Sequence, residues 1–138
     1  MIKWKKMNSK NPFLVFDIVF YRSAKTFSEK FDYEESKTFA GSMLLSIFQF
    51  LNLLSIVNFV KLGYSDLISL NIFVFFGMLL FIIVFNLIRY NMFYTFEKIT
   101  KFMARMNKGS AFFNRVATIY LISSICIFLI SSIALIGK

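Results

Sequence analysis

The chain has 138 residues, 58% of them hydrophobic and 20% aromatic, with a mean hydropathy of +0.68 and a formal net charge of +9. A soluble domain of this size and composition would expose a large apolar patch, so the expected class is an all-α integral membrane protein. In that class the positive charge reads as a cytoplasmic face held against anionic headgroups. No zinc-finger, helix-turn-helix or RNP-like signature points to nucleic acid.

Residues 1–38 read as a cytoplasmic amphipathic segment. Trp4 among Lys3, Lys5, Lys6 and Lys10 suits a membrane–water interface. The apolar run from Pro12 to Tyr21 is too short to span. Asp17 interrupts it, and no small-residue cleavage site follows, which argues against a signal peptide. A helix fits better, with Asn11 as cap, Pro12 in the first turn and Phe13, Phe16, Phe20, Phe27 and Phe31 at helical spacing. Asp17 is expected on its polar side with Lys25; the alternative is a charge partner for basic residues at 98–108. Asp32, Glu34 and Glu35 then form a solvated hinge, with weak metal binding as the lesser reading.

Three uncharged stretches follow. The first span is expected at 39–60, between Lys37 and Lys61, and carries Ser42, Ser46, Gln49, Asn52, Ser55 and Asn58 at spacings of three and four. In lipid such a stripe needs partners, so it is read as helix–helix hydrogen bonding or, in an oligomer, as a pore lining. Gly63 bends a tight connection and Ser65 or Asp66 caps the second span, expected at 67–88, making the two spans an antiparallel hairpin. Within it Asn71 and Asn86 are placed near the helix ends, within reach of headgroup water, and Gly77 near the middle, where helices approach closely.

Residues 89–115 read as a basic amphipathic cytoplasmic helix, either continuous with the second span or turned along the membrane. Met92, Phe96, Ile99, Met103 and Met106 form its apolar face, and the Phe stripe of the N-terminal helix is the expected mate. Lys98, Lys101, Arg105 and Lys108 form a separate stripe suited to anionic lipid or a partner, and Gly109 is the expected C-cap. The third span is expected at 116–136, with Ala117, Ser124 and Ser131 as a small-residue packing seam widened by Ser123 and Ser132. Eight basic residues precede the first span and six lie between the second and third, against Lys61 and Lys138 on the other side. The N-terminus is therefore expected inside and the C-terminus outside.

The chemical inventory is small. The three spans contain no Asp, Glu, Lys, Arg or His, and the chain has no His at all. The single cysteine, Cys126, lies in an apolar span and cannot form an intrachain disulfide. No phosphate loop, nucleophile elbow or paired carboxylate with a base is present. The expectation is one multi-pass domain of the cytoplasmic (inner) membrane, neither an enzyme nor a cofactor or metal binder. It is expected to act through helix–helix contacts with another membrane protein, as an immunity-type protein or an anchor subunit does. The alternative is a homo-oligomeric pore or membrane-disrupting effector with the first-span polar stripe facing the channel.

Overall fold

Residues 13–31, 37–63, 72–106 and 108–137 are described by the computed structural model. They form α1 (Leu14–Phe31), α2 (Lys37–Gly63), α3 (Ile72–Ile88), a single π-helical turn (Arg89–Phe93), α4 (Phe96–Arg105) and α5 (Ser110–Ile136). No strand occurs among the described residues. Three stretches, Lys37–Gly63, Phe73–Phe93 and Ser110–Ile136, are long and apolar enough to cross a membrane, as a multi-pass helical membrane protein requires. At about 1.5 Å per residue, the 27 residues of α2 or α5 extend roughly 40 Å, beyond a hydrocarbon core of about 30 Å.

α2 is the central helix. It packs against α1, α3 and α5, and α1 also packs on α5 and, less extensively, on α4. The core sits where α1 meets the start of α2, the π turn, α4 and the start of α5. It is built from Ile18, Val19, Phe20 and Ala24 of α1 with Leu45, Tyr90, Ile99, Met103, Phe113 and Ala117. Phe20 stacks on Tyr90 at 3.8 Å between ring centroids, Phe16 meets Tyr120 edge-on at 5.8 Å, and Tyr21 stacks on Phe96 at 5.6 Å. The close helix approach falls at Gly41 rather than at Gly77. A Cβ on Gly41 would lie 3.0 Å from Ala24 Cβ and 3.1 Å from the Phe20 ring, whereas one on Gly77 would meet nothing within 4 Å.

The second span does not run on as one helix. Tyr94 N–H donates to Arg89 O at 2.8 Å, the i→i−5 bond of a π turn. Thr95 is extended (φ −56°, ψ 152°), and α4 starts afresh with Glu97 in its first turn, 2.6 Å from Lys101, and Arg105 in its last. This break resets the helical phase. Ile99 and Met103 are buried and Phe96 and Met106 half-buried, but Met92 falls on the π turn and is exposed. Gly109, expected to end a helix, instead precedes α5 with extended φ −63° and ψ 155°, and residues 110–115 belong to α5. Residues 1–12, the acidic group Asp32, Glu34 and Glu35, and the turn residues Ser65, Asp66 and Asn71 lie outside the described residues.

Candidate functional site

The polar stripe of α2, apart from Ser42, is answered inside the chain. Asn86 of α3 donates through Nδ2 to Ser46 Oγ at 2.9 Å and to Gln49 Oε1 at 2.7 Å. Asn52 Nδ2 donates to Tyr120 Oη of α5 at 3.1 Å, and Asn58 Nδ2 lies 3.2 Å from both Ser131 Oγ and Ser132 Oγ. Ser46 and Ser55 donate to carbonyls one turn back, Ser42 O and Leu51 O. The stripe therefore drifts from α3 at one end to α5 at the other, as helically spaced polar positions must when two neighbours flank one helix. Ser42, Ser46 and Ser55 are buried; Ser42 Oγ and Asn86 Oδ1 have no hydrogen-bond partner among the described residues. Asn86 corrects an expectation: it is buried between two helices rather than served by headgroup water, because the apolar stretch continues past it to Phe93.

The small seam of α5 faces the same interior. Ala117, Ser124 and Ser131 are buried, while Ser123 and Ser132 are half-buried. Ser124 and Ser123 donate to Tyr120 O, and Ser131 to Phe128 O, so their hydroxyls are satisfied within the helix while their small size lets α2 approach. Cys126 is exposed on the outer side of α5.

An ionic cluster joins α1 to the end of the second span, and here the expectation for Asp17 is corrected. It lies neither on a polar surface with Lys25 nor against the 98–108 stripe. It is fully buried, accepting on Oδ1 from Arg89 Nη2 at 2.8 Å and from Tyr90 Oη at 3.0 Å. The Arg89 guanidinium is caged by rings, 4.7 Å from the Phe13 centroid and 4.6 Å from that of Tyr94, and its side chain is 11% exposed. Its Nε is buried with no hydrogen-bond partner among the described residues. Burial pushes the Asp17 carboxyl above its usual value, against the hydrogen bond and charge of Arg89 and the hydroxyl of Tyr90, which pull it down. One signal for this pairing was present in the sequence: Asp17 is an acid amid apolar neighbours, and Arg89 is the first charge after the second span.

The basic stripe stays on the surface. Lys98, Lys101, Arg105 and Lys108 are all exposed. Lys101 pairs with Glu97, and this contact holds the Glu97 carboxyl below its usual value. Lys98 Nζ reaches Phe93 O at 3.4 Å, and Lys108 lies over the Phe112 ring at 5.5 Å. No group of three or more His, Cys, Asp or Glu able to hold a metal occurs among the described residues. No protein family, no characterised protein and no solved structure matches this chain.

Proposed function

We propose that this chain is a non-enzymatic multi-pass protein of the cytoplasmic membrane that acts by packing its helices against another membrane protein, in the manner of an immunity-type protein or an anchor subunit. α1 and α4 lie on the cytoplasmic side, consistent with the clustering of basic residues around them. The observation that carries this reading is the direction of the polar groups. Gln49, Asn52 and Asn58 of α2 are engaged by Asn86, Tyr120, Ser131 and Ser132 of the same chain. A pore lined by α2 would have to break these contacts to turn the amides to water. What the chain offers outward is apolar: α3 is attached chiefly along the side facing α2 and exposes Phe76, Leu80, Phe81 and Phe85. Rigid rings on one helix are efficient anchors for a second helix, since little side-chain entropy is lost on packing them.

Lipid can cover the same face, and a direct test separates the two. A photo-cross-linking residue placed at Phe76 or Phe81 in cells should yield one discrete protein adduct. A control at Cys126, on the outer side of α5, should give none or a different one. Adducts to lipid alone from the α3 positions would remove the partner reading. Rapid depolarisation of cells expressing the chain alone would favour the alternative, a homo-oligomeric pore, over the partner reading.

A further inference from the structure

We propose that residues 89–95 are a two-position hinge that masks an apolar stripe on α4. The stripe follows from helical phase. Phe81 and Ile99 stand eighteen residues apart, as do Phe85 and Met103, and at about 3.6 residues per turn that is five full turns. One uninterrupted α-helix would therefore point Ile99 and Met103 to the same side as Phe81 and Phe85. Phe81 and Phe85 are 71% and 50% exposed and Met92 is exposed as well, yet Ile99 and Met103 are buried in the core with α1. The π turn and the extended Thr95 account for the difference: together they roll α4 until its apolar face looks inward.

Both windings are open to this sequence. No Gly or Pro occurs between Gly77 and Gly109, and Met92, Phe96, Ile99 and Met103 keep the four-and-three spacing of a single helix face across the break. What selects the broken form is a set of contacts on the π turn. Arg89 and Tyr90 both donate to Asp17, and the Tyr90 ring stacks on Phe20 at 3.8 Å. The Arg89 guanidinium also lies 4.6 Å from the Tyr94 ring centroid. In an α-helix residues five apart point about 140° away from each other, so this last contact depends on the π winding. Little else holds the break. Thr95 makes no side-chain cap to α4, and Gly109, extended and with open space around its Cβ position, leads into α5.

Breaking the grip of α1 on Arg89 and Tyr90 lets residues 89–95 rewind as α-helix. Ile99 and Met103 then leave the core and continue the line of Phe81, Phe85 and Met92 beyond the membrane span. In the free chain the broken form dominates, because it keeps Ile99 and Met103 buried. The lengthened stripe suits a partner helix that runs from the membrane into the cytoplasm. That use rests on the partner reading given above, whereas the hinge itself is tested on the chain alone.

The test measures how fast a water-soluble maleimide modifies Met103→Cys in the full chain, carrying Cys126→Ser and held in maltoside micelles. Leu45→Cys, at a buried position on α2, reports general loosening. Asp17→Ala should speed modification of Met103→Cys at least about tenfold, the weight of hydrogen bonds to a charged group, and leave Leu45→Cys unchanged. Thr95→Pro fits the observed φ of −56°, and Tyr94 before it already lies outside the helical region, but a proline there forbids rewinding. Added to Asp17→Ala, it should return the rate to that of the wild type. An unchanged rate in Asp17→Ala would overturn the proposal. Acceleration that survives Thr95→Pro would mean that α1 merely comes loose and would overturn it too, as would equal acceleration at Leu45→Cys. If Asp17→Ala does not fold, Thr95→Ala replaces it: its higher helix propensity should speed Met103→Cys about two- to threefold, and an unchanged rate overturns the hinge. None of these rates depends on the α3 cross-links, so either reading can fail alone.

Discussion

Asp17 and Tyr90 meet 73 positions apart in the chain, the tyrosine hydroxyl donating to the carboxylate at 3.0 Å while Arg89 donates to the same oxygen at 2.8 Å. Two adjacent residues of the π turn thus converge on one buried acid of α1. Removing the basic member takes a short hydrogen bond and a positive charge away from a buried carboxylate, and weakening a buried ion pair from one side is costly. Arg89→Gln should lower the unfolding midpoint in detergent at neutral pH, by an amount equivalent to about 2–4 kcal/mol. Asp17→Asn should cost less, because the amide still accepts from Tyr90 and Arg89 keeps its ring cage. Equal losses from the two changes would contradict this asymmetry.

The same carboxyl sets a pH dependence. Burial raises the Asp17 pKa above its ordinary value of 3.8, so the folded chain binds this proton more tightly than the unfolded chain does. Its contribution to stability is therefore greatest at acid pH and declines as pH rises through the folded-state pKa. The difference in unfolding midpoint between wild type and Asp17→Asn, followed from pH 3.5 upward, isolates this limb from the other carboxyls. The wild type should lose ground to the variant as pH rises. A wild type that gains on the variant over that range would reverse the assignment.

Two glycines should respond in opposite directions. Gly41→Ala introduces a methyl 3.0 Å from Ala24 Cβ, an atom fixed to the backbone of α1, and should destabilise by about 1–3 kcal/mol. Gly77→Ala meets nothing within 4 Å and removes a flexible residue from a helix interior, so it should be neutral or stabilising by up to about 1 kcal/mol. Thermal unfolding of the two single variants in one detergent checks the pair.

Asn86 fastens α3 to α2. Asn86→Leu removes both of its hydrogen bonds, leaving Gln49 Oε1 without that donor, and should cost about 0.6–2 kcal/mol, the range found for such bonds between membrane helices. Cysteine pairs placed across α2 and α3 in a Cys126→Ser background should then cross-link more broadly along the two helices. An unaltered cross-linking pattern would mean that apolar packing alone holds α3.

What could be read from the chain beforehand follows from what lipid forbids. Amides at Gln49, Asn52 and Asn58 cannot face hydrocarbon, so a partnered stripe on the first span was legible from its spacing alone. Who answers the stripe was not. Tyr120 and Asn86 become its partners through the relative height and rotation of neighbouring helices; the small-residue seam of α5 marks which side of that helix packs but not which residue it meets, and an almost uniformly apolar α3 carries no periodicity to report Asn86. Asp17 illustrates the same limit: an acid among apolar residues signals a missing counterion, but its answer stands 72 positions away. The break at Tyr94–Thr95 left no Gly or Pro as a marker. With it went the placement of Met92.

The pairing of α2 with α5 has a consequence for biosynthesis. Asn52 and Asn58 find their acceptors 68, 73 and 74 positions later in the chain. At a synthesis rate of about 5–20 residues per second, α2 is complete for roughly 3–15 s before Tyr120, Ser131 and Ser132 have been made. During that interval two amides of a nascent membrane helix must be sheltered by water, by the insertion machinery or by another protein. Ribosomes stalled before residue 120 should leave α2 cross-linkable at Asn52 to whatever gives that shelter, and chains released after residue 132 should not.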